Sequence, residues 1–274
     1  MIRLGMMARE TATMTIDAAI AEARALQLDV VDLHLSGINR DLDYLRHVRS
    51  QCLRSGLSIG YTGGGTFVGL PEERDKRQTQ GREDVDATAF LGAQVMRLFA
   101  RHKWPATVAE QDYLWGPMIE SFQEIADYAT TKGVQVAVQN HNNGSFAMNA
   151  VQVLRILREV DRPNFSYLLD TGQWQGAIGS HPRGESDPTV DLYEDYLEPT
   201  APHATYVRAK IYKIDSGREE WLDYGRILQI LRDVDYNGTI GLVFELGERN
   251  SCADEECRRM AVVHLRDLIA AAYT

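Results

Sequence analysis

The chain has 274 residues, 44% hydrophobic and 25% charged, with 39 acidic against 29 basic side chains and a net charge of -10. That length suits one α/β barrel or two smaller domains, and the acidic balance argues against a nucleic-acid surface, which needs clustered Lys and Arg. No apolar run approaches membrane-spanning length, and the opening MIRLGMM leads into a strand-like run instead of a signal peptide. Cys52, Cys252 and Cys257 lack the paired spacing of zinc or redox motifs, so reduced thiols and a soluble, cytoplasmic protein are expected.

In chain order, Ile2 to Met7 reads as an apolar strand, and Thr15 caps a helix whose Ile16, Ala19, Ile20, Ala23 and Leu26 follow the helical period. Val30 to Leu35 is a second strand. Leu42 to Arg54 is helical and Gly56 stops it before a third strand, Leu57 to Tyr61. Thr62 to Arg82 reads as a long loop opening on TGGGT. Three glycines after a strand can cradle a phosphate, but the Gly-Lys-Ser or dinucleotide spacing is missing, and a lid or plain loop is the preferred reading. The charge run Glu73 to Arg82, acids among its bases, reads as solvated. A helix follows from Asp84 through Ala93, then the strand QVMRLFA, inside which Arg97 needs a partner.

Trp115 to Thr131 is an amphipathic helix that leads through Gly133 to VQVAVQNHNNG, Val134 to Gly144. Its small and apolar run followed by a polar cluster is the pattern of a buried parallel strand that delivers side chains at its carboxyl end, with Gln139 and His141 on one face. A helix from Ala150 to Val160, a sixth strand FSYLLD ending on Asp170, a helix around Val190 to Leu197 and a seventh strand ATYVRAKIYKI follow. Tyr224 to Val234 is helical, Asn237-Gly238 turns into an eighth strand TIGLVFEL, and a helix from Ala253 to Ala272 closes the chain. Strands alternating with helices, and no break in composition, predict one domain over residues 1–274, an α/β fold of the (β/α)8 TIM-barrel type. A doubly wound sheet would need a Gly-rich fingerprint after its first strand, which is absent.

In such a barrel the active site lies where the strands end. Polar groups that are costly to bury stand there: Gln139 and His141, Asp170, Arg208 and Lys210, and Glu245. Arg208 and Lys210, two apart, share a face.

QNH ending the fifth strand, LDTGQW at the sixth, VRAKIY at the seventh and YNGTIGLVFE at the eighth together give the chain a pattern that resembles the xylose-isomerase-like TIM barrels. These form the sugar-phosphate isomerase/epimerase superfamily, related to the endonuclease IV fold. The resemblance implies a divalent metal, manganese or magnesium, held by a Glu, an Asp, a His and a second Glu, with the two glutamates moving a proton between carbons of a ketose or polyol through an enediolate. It also implies a small sugar-like substrate and a barrel of the kind that often forms homo-oligomers; that neither nucleic acid nor membrane is a partner is the expectation from composition.

The chain departs from that pattern. Gln139 replaces the strand-five Glu, and an amide cannot take a proton at physiological pH. Arg208 stands at the metal-binding His, Gln173 at the His three residues after Asp170, and Val243 at the strand-eight Glu, with Glu245 two residues on and on the same face. Asp170 alone is retained. Glu245 is therefore the candidate base, His141 a second proton carrier, and Lys210 and Arg208 the stabilisers of an oxyanion or substrate anion. Gln139, Gln173 and Trp174 are candidate substrate contacts, although core packing is the commoner fate of Trp174 and of Trp115. Two readings of Arg208 stand side by side. It binds a substrate phosphate or carboxylate beside a metal held by Asp170, Glu245 and Gln139, or its guanidinium takes the metal's place and pairs with the carboxylates. Isomerisation or epimerisation is the expected reaction. A lyase or dehydratase shares the first step and needs one base, and a silent sugar-binding subunit is the non-enzymatic alternative.

Overall fold

Eight parallel strands close on one another in the computed structural model, which describes residues 1–8, 14–35, 39–66, 71–93, 95–100, 108–142, 144–179, 186–244 and 249–273. They are β1 (Arg3–Ala8), β2 (Val30–His34), β3 (Ser58–Thr66), β4 (Val95–Phe99), β5 (Gln135–Gln139), β6 (Phe165–Asp170), β7 (Ala204–Ile211) and β8 (Thr239–Phe244). Each pairs with the next in sequence, and β8 closes on β1 through Gly5 beside Gly241. This is the (β/α)8 barrel that the alternation of elements predicts.

The helices start where side chains can take up their free amides. Thr15 accepts from the Ala18 amide at the head of α1 (Ile16–Ala25), and Asp41 accepts from Asp43 and Tyr44 at the head of α2 (Leu42–Arg54). Asn149 caps α5 (Ala150–Val160), and Asp223 caps α7 (Tyr224–Asp233). The remaining long helices are α3 (Arg74–Leu91), α4 (Val108–Thr130) and α8 (Asp254–Ala272), and a π-helical turn, Leu192–Leu197, runs into the short α6 (Glu198–Thr200). On α5, Ala150, Val153, Ile156 and Val160 form the buried stripe. None of the helices among the described residues is long and apolar enough to cross a membrane.

Two sequence expectations are corrected. The segment Thr62 to Arg82 is not one loop: β3 continues through the glycines to Thr66, and α3 begins at Arg74, with 67–70 outside the described residues. Glycine is a poor strand former, yet here it is required. A Cβ on Gly63 would stand 2.7 Å from Arg97 Nη2, so the bare backbone makes room for a guanidinium. The charge run is the wet side of α3, whose Arg74 and Arg82 reach Glu120 and Glu124 on α4. Cys252 and Cys257 are not free thiols. They are joined by a disulfide in the turn that enters α8, where a spacing of five brings their Cα atoms to 5.9 Å, while Cys52 remains free and buried.

Inside the barrel, Tyr61, Val95, Ala137, Leu168 and Tyr206 form an apolar layer. Asp32 of β2 sits against it, its Oδ1 accepting from the Tyr206 hydroxyl and the Tyr61 amide. Space for that carboxylate exists because β8 carries glycine opposite: a Cβ on Gly241 would lie 2.3 Å from Asp32 Oδ2 and 3.0 Å from the Tyr206 hydroxyl. Overpacking of this kind costs about 1–3 kcal/mol. Gly241→Ala should therefore lower the urea unfolding midpoint by an amount in that range, and an unchanged midpoint would show that the interior yields at no cost.

Candidate active site

The strand tips are organised by Asn140, the residue after β5. Its Nδ2 donates to the carbonyls of Asp170 and Gln173, both at 3.0 Å, while its Oδ1 accepts from the Asp170 amide at 2.8 Å and the Tyr167 hydroxyl at 2.7 Å. One fully buried amide thus ties the end of β5 to the turn after β6 and fixes the backbone that presents Asp170.

Asp170 has no exposed surface. Its Oδ2 accepts from Arg208 Nη1 at 2.9 Å and from Gln139 Nε2 at 3.1 Å, its Oδ1 accepts from the Gly172 amide at 3.1 Å, and the Lys210 ammonium lies 3.9 Å away. The parallel register places Arg208 directly beside Asp170, and the two-residue period brings Lys210 to the same wall. Both cations are buried. Of the two sequence readings of Arg208, this geometry matches the one in which the guanidinium pairs with the strand-six carboxylate.

The network continues through Gln139. Its Oε1 accepts from Arg97 Nη1 at 3.3 Å, so Arg97 orients the amide and leaves its NH2 for Asp170. Arg97 Nη2 approaches His34 Nε2 at 3.2 Å, which places the proton of a neutral His34 on Nδ1. The guanidinium also lies over the Phe99 ring at 4.2 Å and near the Tyr61 ring at 5.6 Å. His141, almost fully buried, packs edge-on against the same Phe99, with ring centroids 5.6 Å apart. Burial pulls Arg97 down to about 10, still cationic at neutral pH, and burial pushes Asp32 up to about 7 despite the Tyr206 hydroxyl bond that opposes the shift.

Of the remaining candidates, Gln173 is buried in the turn after β6, where its backbone carbonyl accepts from Asn140 Nδ2. Trp174 is a core residue, stacked on Tyr196 at 4.9 Å, and Trp115 packs on Phe146 and donates to Glu159. Glu245 follows Phe244, the last residue of β8, and lies outside the described residues. By sequence Asp32 reads only as part of an apolar strand, and His34 as a structural or surface histidine outside any cluster. The signal was present in VVDLH: an acid flanked by aliphatics must be buried, and a His two residues on shares its face.

The family resemblance implies a divalent metal, and the described donors do not fit one. Asp170 is the one carboxylate at the tips among the described residues, and its oxygens are taken up by a guanidinium and two N–H donors. Gln139 turns its NH2, which cannot ligate, towards Asp170. Among the described residues there is no group of three or more His, Cys, Asp or Glu able to hold an ion. A second cation would also meet the fixed charge of Arg208 at the same oxygen.

A family model described as xylose isomerase-like TIM barrel matches residues 17–271. Among solved structures, D-psicose 3-epimerase from Clostridium cellulolyticum H10 superposes with a TM-score of 0.77 at 14% identity, covering 99% of each chain. A xylose isomerase domain protein from Planctomyces limnophilus superposes with a TM-score of 0.70 at 15% identity, over 99% of this chain and 97% of that one. The 3-keto-D-glucoside 4-epimerase from E. coli gives 0.74 at 14% identity, over 98% and 100%. At such identities the likeness shows the fold alone. A comparison with curated proteins finds no match.

The buried acid carries a pH prediction. In the fold Asp32 holds its proton to about pH 7, whereas its ordinary value is 3.8. Between those limits the folded chain binds a proton that the unfolded chain has lost, so this group makes stability fall as pH rises from about 4 to about 7 and level off above. Asp32→Asn removes the dependence. In urea unfolding at pH 5, 6, 7 and 8, the variant should gain stability on wild type with each step up to 7, and parallel profiles would contradict the assignment.

Proposed function

We propose that this chain, which belongs to the xylose isomerase-like TIM-barrel family, is a sugar isomerase or epimerase that removes a proton from a carbon beside a carbonyl and holds the resulting enolate with fixed cations. The observation that carries this reading is the cluster at the ends of β6 and β7, where Arg208 lies 2.9 Å and Lys210 3.9 Å from one buried carboxylate. Donors held rigidly in a dry site stabilise negative charge as it develops, and they do so without reorganising. Asp170, with both oxygens engaged by donors, anchors those cations. The names of the structural neighbours, a 3-epimerase of a ketose and a 4-epimerase of a 3-keto sugar, support a carbohydrate carrying a carbonyl.

Glu245 is the proposed base, on the chain directly beyond β8, and His141 is the proposed second proton carrier. In this account Arg208 and Lys210 supply the electrostatic stabilisation, and no step is routed through a divalent ion. A lyase or dehydratase is favoured as the second reading by one feature: Gln139 stands where the family resemblance sets the strand-five acid, and β-elimination needs only one base.

Incubation with ketoses in deuterium oxide, followed by proton NMR, tests the first step. At least one ketose should exchange a carbon-bound proton for deuterium, and Arg208→Gln or Lys210→Met should slow that exchange by about 100- to 1000-fold, the cost of losing one oxyanion donor. Sugar binding without exchange would mean a silent binding protein, and loss of a hydroxyl from the substrate would mean a lyase.

A further inference from the structure

The turn that enters α8 holds more than that helix. Cys252 and Cys257 are joined there, Cys252 half-buried and Cys257 fully buried in the first turn of α8. α8 starts on Ala253, which offers no side-chain acceptor to the free amides, so its first turn is fastened covalently instead of by a cap.

The same turn is bound to the loop after β7. Asp215 Oδ1 accepts from the Ser251 amide at 2.8 Å, the Ser251 hydroxyl at 3.0 Å and the Cys252 amide at 3.2 Å. Asn250 Oδ1 accepts from the Ile214 amide at 2.8 Å and Asn250 Nδ2 donates to the Tyr212 carbonyl at 2.9 Å, while the Arg249 guanidinium lies 5.5 Å from the ring centres of Tyr212 and Trp221. Tyr212 carries these contacts to the strand tips. Its hydroxyl donates to the Gly172 carbonyl at 2.7 Å, the Gly172 amide donates to Asp170 Oδ1 at 3.1 Å, and a Cβ on Gly172 would stand 2.7 Å from the tyrosine ring. A continuous line of contacts thus runs from the disulfide to the carboxylate that anchors Arg208.

We propose that the Cys252–Cys257 pair is a thiol–disulfide exchange site, reduced by small thiols or dithiols, and that its state sets how firmly the turn before α8 braces the Asp170 side of the strand tips. This rests on the reading of those tips as an active site and adds the control of that site. Attack falls on Cys252, the more exposed sulfur. A thiolate bonds to its Sγ, the bond to Cys257 breaks, and the Cys257 sulfur leaves with the electron pair and takes up a proton. A second thiol attacks the outer sulfur of the mixed disulfide and releases Cys252, so two thiols are oxidised to one disulfide while the protein gains two electrons and two protons. The reduced state has a place ready for its new proton, since the Cys257 sulfur lies 3.4 Å from the Cys252 carbonyl oxygen. With the link open, the turn is held to the β7 loop by exposed and half-exposed hydrogen bonds, which are the ones that open first. An element with two discrete states, in contact with the site at one end, is what coupling between them requires.

Hydrogen–deuterium exchange of the full chain, oxidised or reduced with dithiothreitol and read by mass spectrometry, tests the proposal without turnover. Thiol titration in denaturant defines the two states: Cys52 alone is free in the first, and Cys52, Cys252 and Cys257 in the second. Peptides carrying the amides of Ile214, Ser251, Cys252 and Gly172 should exchange about tenfold faster after reduction, while α2, which makes none of these contacts, stays within about twofold. Oxidised glutathione should restore the slow exchange. Cys252→Ser combined with Cys257→Ser should behave like reduced wild type with or without dithiothreitol, and should that variant fail to fold, the wild-type comparison decides. Equal exchange in the two states, an equal loss of protection in α2, or a pair that stays oxidised in dithiothreitol would each overturn the proposal. Ketose proton exchange on the same samples should slow about tenfold on reduction. An unchanged rate there would overturn the control of the site, whereas no ketose exchange in either state would refute the proposed reaction and leave the amide result to decide this inference.

Discussion

Everything at the mouth of this barrel depends on one buried ion pair, the Arg208 guanidinium 2.9 Å from the Asp170 carboxylate. Two charges removed from water are retained only when their geometry is good and their remaining donors and acceptors are satisfied. Here Gln139 and the Gly172 amide complete the carboxylate, and Asn140 ties down the backbone that carries it. The pair in turn fixes its surroundings. Gln139 has one orientation because Arg97 sits at its oxygen and Asp170 at its nitrogen, and Lys210 shares the wall because it is two residues from Arg208.

The Arg208 guanidinium is covalently held and stabilises negative charge through directional N–H donors. A second buried cation, Lys210, lies 3.9 Å from the same carboxylate. The interior below is graded to match, from the apolar layer of Tyr61, Val95, Ala137, Leu168 and Tyr206, through Asp32 near its own titration point at about pH 7, to the cationic tips.

Much of this was legible in the chain. The helix Leu42–Arg54, the helix Ala150–Val160 and the strand Phe165–Asp170 fall where period and capping place them, because local pattern and tertiary packing agree there. The β3 to α3 passage was misread because glycines and mixed charges describe a loop by composition. What decides it is a neighbour: the ladder with β4 and the guanidinium of Arg97 against Gly63. Arg208 and Gln139, which the resemblance sets where a ligating His and an acid would stand, were visible as motif departures. The partners of Arg97 were not, since His34 lies 63 residues and Gln139 42 residues away, and nothing local announces either contact. Asp32 was missed for a different reason, that a strand read by its aliphatics conceals the acid inside it.

The most direct measurement of the central claim is manganese binding to chelator-treated protein by electron paramagnetic resonance, with Arg208→His run beside wild type. If the guanidinium has taken the ion's place, wild type binds no manganese at stoichiometric concentrations and Arg208→His, which returns a ligating side chain next to Asp170, gains measurable affinity. One manganese bound per wild-type chain would contradict the account and return the site to a metal centre.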